Sequence, residues 1–338
     1  VQRADRPWWL TPLVLPAGTP TTKPRALNAG LAHAMGEFVT VYDAEDDPDP
    51  LQLREAVARF RADPDHSLAC LQAPLRIRVA DGDDRHAFLN RQFAVEYAAL
   101  FEVTLPGMAR LGFPFPLGGT SNHFRVDVLR SIGGWDAWNV TEDADLGFQL
   151  WRHGWRSGML TRPTHEAPTG GIAVWLPQRT RWLKGFMQTL GVHTRDVRGL
   201  GAKGFFALII TLAFTLASAA LHAFVLAWVA ATVLVALVSG LEPLTPVFAM
   251  TVLATGTVAA LGTGWIGASR AGVRYSPTDM LLSPIYWSLL TLAFGHALWR
   301  LIRDPFTWDK TPHRASRSMS APVAAIQAEL EPAGREAA

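Results

Sequence analysis

Cysteine is almost missing from this chain of 338 residues. The single thiol, Cys70, excludes a disulfide framework and any cysteine-built zinc site. It lies in an apolar run, 67–72, and reads as a small buried hydrophobe rather than a reactive group. An excess of charge of either sign is missing as well: 31 basic residues balance 29 acidic ones, and the two interleave. A nucleic-acid binder would gather its cations into a stripe, so that class is excluded. GxGxxG spacing occurs at 199–204 and 262–267, but neither match follows a strand-like run as a dinucleotide site requires, and no GxxxxGK[ST] loop is present, which removes dinucleotide enzymes and P-loop NTPases. Residues 1–6 hold neither an initiating methionine nor the apolar core of a signal peptide. They are polar and soon meet a motif that belongs well inside a domain, so the chain reads as a fragment.

Charge is scarcest between 204 and 303, where only Glu242, Arg270, Arg274, Asp279, Arg300 and Arg303 occur. The first two hundred residues are charged like a water-soluble globular domain and the next hundred like membrane. Three uncharged stretches, 204–241, 243–269 and 280–299, reach the roughly 20 residues that a spanning helix needs. As one helix the first would run about 57 Å, nearly twice the hydrocarbon core. It therefore reads as two segments with a turn at 219–222, or as an interfacial helix followed by one span. Loop charge favours about four segments, at 204–219, 221–239, 246–269 and 280–301. That count keeps Arg300, Arg303, Lys310, Arg314 and Arg317 on the side of the first domain, whereas three spans would translocate them. His222 reads as a solvated or hydrogen-bonded histidine at the turn, with an intramembrane role as the alternative. Beyond 303 a basic juxtamembrane segment leads into a disordered tail, 315–338.

In the first half, apolar spacing predicts helices over 23–35, 51–62, 86–111 (broken at Pro106-Gly107), 126–132, 142–153 and 172–192. It predicts strands over 37–42, 67–77, 120–124 and 155–160. Strands alternating with helices imply an α/β layer structure with a mostly parallel sheet, whose ligands bind beyond the carboxyl ends of strands.

Three constellations can carry chemistry. Asp43 and Glu45, with Asp46 behind them, follow a strand at i and i+2, a spacing that offers oxygens to a hard divalent cation and so to a diphosphate. The plain alternative is a solvated acidic turn. Glu142 and Asp143 follow Thr141 at a helix start, where a cap and the helix dipole already account for acids. The functional alternative makes Asp143 a general base facing a cleft. Gln178, Arg181 and Trp182 share a helix face, presenting an amide, a forked cation for phosphate and a flat aromatic for a sugar ring. A basic interfacial helix with a tryptophan anchor is the competing explanation.

Taken in order, KPRALNAGL (23–31), VYDAEDDP (41–48), GGTSNHFR (118–125), TEDADLG (141–147) and QRTRW (178–182), followed by apolar helices, resemble membrane-bound family 2 glycosyltransferases of the processive type. Cellulose and hyaluronan synthases belong to that group. The segment PFTWDKTPH (305–313) points to its phage-adsorption-protein-B-like branch. The resemblance implies a GT-A-type nucleotide-diphosphosugar transferase domain over 1–200, incomplete at its N-terminus. A transmembrane domain over 201–303 and a tail over 304–338 would follow.

It also implies site roles. Asp43 and Glu45 would hold Mg2+ or Mn2+, and Asp143, beside Glu142, would be the base of an inverting displacement. Lys23, Asn28, Asp43, Gln178 and Arg181 would meet the donor and its diphosphate. Gly119, Thr120, Ser121 and Trp182 would face the acceptor. The implied partners are a nucleotide-sugar (a UDP-sugar first among them), a glycan or lipid-linked acceptor, the lipid bilayer and polysaccharide-export proteins. The implied location is a bacterial inner membrane, multi-pass, with the catalytic domain cytoplasmic. Two other readings compete: a catalytically silent scaffold of an export or phage-receptor assembly, and a metal-dependent phosphohydrolase. The latter lacks a second set of metal ligands.

Overall fold

The computed structural model describes residues 9–79, 86–240 and 247–307. Residues 1–6, Lys310, Arg314, Arg317 and the expected disordered tail lie outside the described residues. Helix α1 (Lys23–His33) starts with Pro24 in its first turn, where a missing N–H costs nothing, and buries Leu31. Strand β1 (Phe38–Val41) and the two-residue β2 (Asp47–Pro48) bracket the acidic loop. Helix α2 (Gln52–Arg61) buries Ala56 and Phe60 at i and i+4. Strands β3 (Leu68–Gln72) and β4 (Leu75–Ile77) follow. Cys70 is fully buried in β3, as its apolar surroundings suggested.

The helical stretch after 86 is not broken at Pro106-Gly107. Helix α3 (Ala87–Ala99) passes through one π turn (Leu100–Thr104) straight into α4 (Leu105–Arg110). Proline cannot donate to the ladder and its ring crowds the carbonyl four residues back. The wider π turn just ahead of Pro106 accommodates both. Strand β5 (Asn122–Arg125), α5 (Val126–Ser131), α6 (Glu142–Arg152), β6 (Arg156–Met159), β7 (Thr164–Glu166) and α7 (Ile172–Arg195) complete the first half.

The sheets are mixed, not mostly parallel. The larger has the order β1-β5-β3-β6, with β5 antiparallel to both neighbours and only β3/β6 parallel. The smaller has the order β2-β7-β4, antiparallel at β2/β7 and parallel at β4/β7. The α3–α4 excursion carries the chain to the opposite end of the sheet, so β5 re-enters reversed. Side-chain alternation carries no strand direction, so the sequence pattern could not reveal this.

The turn expected at 219–222 is absent, and with it the four-segment count. Residues 198–239 form one continuous helix containing α8 (Gly201–Leu208), a π turn (Ile209–Ala213) and α9 (Phe214–Ser239). Alanine-rich sequence is strongly helix-forming, and Leu216 and Ala219 are buried there against the last helix. His222 stands edge-on to Trp287 at 5.7 Å. Helices α10 (Val247–Ala271) and α11 (Pro277–Arg303) follow. Among the described residues three helices, 198–239, α10 and α11, are long and apolar enough to cross a membrane. One core joins the halves, running from Phe93, Phe124 and Trp175 to Leu208, Leu212 and Tyr286.

Candidate active site

The β1/β5 ladder builds the site's floor. It pairs Val41 with Asn122, and Ser121 N–H donates to Val41 O at 2.7 Å. The acidic loop after β1 therefore meets the loop before β5. Thr120 ties them: its hydroxyl donates to Asp46 Oδ2 and accepts from the Asp43 N–H at 3.1 Å. That N–H also donates to Asp46 Oδ2 at 2.8 Å. Lys23, at the start of α1, reaches in to donate to Asp43 Oδ1 and, at 2.7 Å, to Gly119 O. Burial opposes charge on Lys23, but Asp43, Glu142 and Asp143 outweigh it and raise its pKa above the ordinary lysine value.

Helix α6 supplies the opposite wall. A Cβ at Gly119 would lie 3.0 Å from Asp143 Oδ2, so glycine leaves the space that this carboxylate occupies. The Ala144 N–H donates to Asp143 Oδ1 at 2.7 Å. Burial raises the Asp143 pKa, against the pull of that hydrogen bond and of Arg181 and Lys23. Burial and the Asp143 charge push Glu142 up to about 8. Helix α7 closes on α6 where Gly185 meets Thr141: a Cβ there would fall 2.3 Å from Thr141 Oγ1. Arg181 donates to Val140 O at 3.3 Å, beside the paired acids. Gln178 Oε1 is buried with no hydrogen-bond partner among the described residues, a state a ligand's donor would relieve.

Lys23, Asp43, Gly119, Glu142, Asp143 and Arg181 thus come together, and other expected residues stand apart. Both ends of the Asn28 amide are engaged by Trp135, as donor to its O at 2.7 Å and as acceptor from its N–H at 2.9 Å. Ser121 is fully buried and donates to Thr164 Oγ1 at 2.6 Å. Its φ of 58° is in the left-handed region that non-glycine residues rarely hold. Thr120 belongs to the acidic loop rather than to an open acceptor wall. Trp182 packs near Phe93 and Tyr97, beneath the Arg179 guanidinium at 4.5 Å.

Sequence reasoning missed Glu166, which burial and the charges of Asp46, Asp43 and Glu45 push up to about 8. It also missed Arg179, which forks onto Glu96 at 2.7 and 2.5 Å. Its position inside QRTRW was the one available signal.

The donor set suits a hard cation of the Mg2+ or Mn2+ kind. Asp43 and Glu45 offer carboxylate oxygens alone. Such ions commonly take one or two carboxylates and complete their shell with water and phosphate oxygens. Among the described residues no group of three or more His, Cys, Asp or Glu is placed to hold a metal ion.

The model of the family described as "Glycosyl transferase family group 2" matches residues 38–263. A beta-monoglucosyldiacylglycerol synthase of Synechocystis sp. is 32% identical over 176 residues, covering 51% of this chain and 34% of its own. Cellulose synthase 2 of Novacetimonas hansenii is 28% identical over 165 residues, covering 48% of this chain and 10% of its own. The chain therefore spans about a third of the length of the first relative and a tenth of the second. A solved mannosyltransferase from Pyrobaculum calidifontis, in complex with GDP-Man and Mn2+, covers 84% of this chain and 68% of its own. It does so at 18% identity and a TM-score of 0.44.

Proposed function

The chain belongs to glycosyl transferase family group 2, and from that premise we propose that it moves a sugar, with inversion, from a nucleotide-sugar to a glycan or lipid-linked acceptor. The observation that carries this reading is the convergence of Lys23, Asp43 and Asp143 around the backbone of Gly119. A cation-and-carboxylate wall for a diphosphate faces a half-buried carboxylate able to take a proton. We assign the catalytic domain to 1–200, the membrane part to 201–303 and a juxtamembrane tail to 304–338.

In this reading Asp43 and Glu45 hold Mg2+ or Mn2+, which when bound supplies charge neutralisation to the leaving diphosphate. Lys23 and Arg181 add fixed positive charge on the same side. Asp143 accepts the acceptor hydroxyl's proton as that oxygen attacks opposite the diphosphate, and one such in-line displacement inverts the anomeric carbon. Glu142, protonated near neutral pH, spares Asp143 a second negative neighbour. Gln178 contributes its unpartnered carbonyl to the donor, and Gly119 shapes the acceptor side.

The two curated relatives are named for a glycolipid and for a polysaccharide, which supports either acceptor class. We take the donor to be a UDP-sugar, the branch to be phage-adsorption-protein-B-like and the product an exopolysaccharide. We place the enzyme in a bacterial inner membrane with its site cytoplasmic, beside export partners.

The test is nucleoside diphosphate release and sugar transfer from a panel of sugar nucleotides, with Mn2+ or Mg2+, using membranes that contain the chain. Asp143→Asn is expected to lower transfer by about 10²–10⁴-fold while donor binding persists. Absence of release from the natural chain with every donor would leave the silent-scaffold reading standing instead.

A further inference from the structure

Helix α11 is long enough to cross a bilayer, yet the catalytic domain holds it from end to end. At its start Arg91 Nε donates to Asp279 Oδ1 at 3.0 Å and Gln92 Nε2 to Asp279 O at 2.6 Å, both from α3. One turn on, Ser283 donates to Gln92 Oε1 at 3.0 Å. Tyr286 then donates to Glu96 at 2.6 Å and accepts from Arg179 at 3.1 Å. Further along, His296 Nδ1 is bonded to Thr180 at 3.0 Å. Just past the C-terminus Lys184 donates to Asp304 O at 3.2 Å and Thr307 O at 2.8 Å, and Gln188 to Pro305 O at 2.9 Å. The partners advance along α3 and α7 as α11 advances.

A helix of 27 residues is about 40 Å long. Had it crossed the membrane, one end would stand some 30 Å from the domain. Both ends stand on it. Helix α10 also returns to the domain before α11 begins: Arg270 donates to Glu102 O at 2.7 Å, and Gly267 lies against the Ala98 backbone.

The two faces of α11 divide cleanly. Asp279, Ser283, Tyr286, Ala293 and Ala297 are buried on one side. On the other Leu281, Ile285, Leu292, Trp299 and Ile302 fall within one stripe at helical spacing and are exposed. Arg303 lies over the Trp299 ring at 5.4 Å, a cation and an aromatic at one end of that stripe. Such a face, continuous with the exposed apolar surfaces of α9 and α10, suits the boundary between headgroups and acyl chains.

We propose that α11 does not cross the bilayer but lies along its surface on the catalytic side, with the Leu281–Ile302 stripe against lipid, and that the α9–α10 pair alone forms a membrane hairpin. Beyond its hydrogen bond to α11, Ala223 N–H to Thr291 Oγ1 at 3.3 Å, α9 continues over 224–239 for about 24 Å, and α10 covers about 27 Å over 247–264, ending where Gly264 meets Val95 and Tyr275. This arrangement puts Arg270, Arg274, Arg300 and Arg303 on one side, in keeping with the bias of short basic segments toward the cytoplasm. Three crossings would divide them.

The experiment labels single cysteines in sealed vesicles of one orientation with a membrane-impermeant maleimide. The sites are Met35→Cys in the catalytic domain, Ser239→Cys at the end of α9, Thr278→Cys at the start of α11 and Thr307→Cys after its end. All four positions are exposed, and the native Cys70 is buried. We expect Met35→Cys, Thr278→Cys and Thr307→Cys to react from one face and Ser239→Cys only from the other. Reaction of Thr278→Cys and Thr307→Cys from opposite faces overturns the proposal, as does reaction of Ser239→Cys from the Met35→Cys face. The labelling needs no enzymatic turnover, so a failure of this topology is distinguishable from a failure of sugar transfer.

Discussion

Glu142, buried, and Asp143, half-buried, are adjacent carboxylates at the first turn of α6, and two negative charges so placed cannot both ionise easily. Burial first and Asp143 second move Glu142 from an ordinary 4.5 up to about 8. Between those values the folded chain keeps a proton that the unfolded chain has released. Stability is therefore lost as pH rises from about 4.5 through about 8. Glu142→Gln removes that titration. Its thermal midpoint, measured without nucleotide, should gain on the natural protein's across this window, and the two curves should run parallel below it. A constant offset from acid to mildly alkaline pH would mean that Glu142 ionises as an ordinary carboxylate. The motif spacing located this pair, Asp43 and Arg181: the pair opens a helix, Asp43 follows a strand, and Arg181 shares a helix face with Gln178. Asn28 and Ser121 sit in equally recognisable motifs. Their side chains point to Trp135 and Thr164, however, and the direction of a side chain in a turn is set by backbone angles that residue type alone does not reveal. Glu166 lies in a three-residue strand, too short to show any alternation.

Elements meet here through small residues. Gly267 on α10 lets that helix press against α3 so closely that a Cβ would come within 2.5 Å of the Ala98 backbone. Backbone cannot swing aside as a flexible side chain can. Gly267→Val should therefore cost about 1–3 kcal/mol by overpacking, read as a lower thermal midpoint in detergent. Gly262→Ala, on the same helix with nothing within 4 Å of the new Cβ, is the control and should be neutral or slightly stabilising. Equal effects would mean that α10 does not press on α3. Helix positions were legible because apolar spacing of 3.6 persists over ten or more residues, as in α2, α6 and α7. Strand direction was not, nor was the continuity of 198–239. Length alone suggested a turn there, but what keeps the helix straight is the burial of Leu216 and Ala219 on α11, a long-range contact. Likewise the π turn ahead of Pro106 replaces the break that proline alone would cause.

The soluble and apolar parts of the molecule are joined by more than a covalent link. The Tyr286 hydroxyl on α11 accepts from Trp175 Nε1 at 3.2 Å and from Arg179, and donates to Glu96. Arg179 is buried in the same helix face that stacks on Trp182, so the last apolar helix bears on the segment that carries Gln178 and Arg181. Composition divides the chain near residue 203, and its charge count gives no hint of this tie. The core nevertheless runs through both parts without a seam. Such a body should unfold as one unit. Tyr286→Phe keeps the ring packing and removes only the shared hydroxyl, at a cost of about 1–3 kcal/mol for the partners left unsatisfied. In detergent, helicity and tryptophan emission should lose their native values at one temperature in the natural chain. In the variant both should do so together, several degrees lower. If the helical signal holds its midpoint while the tryptophan signal falls, the two parts melt independently, and α11 is a membrane element that only touches the catalytic domain.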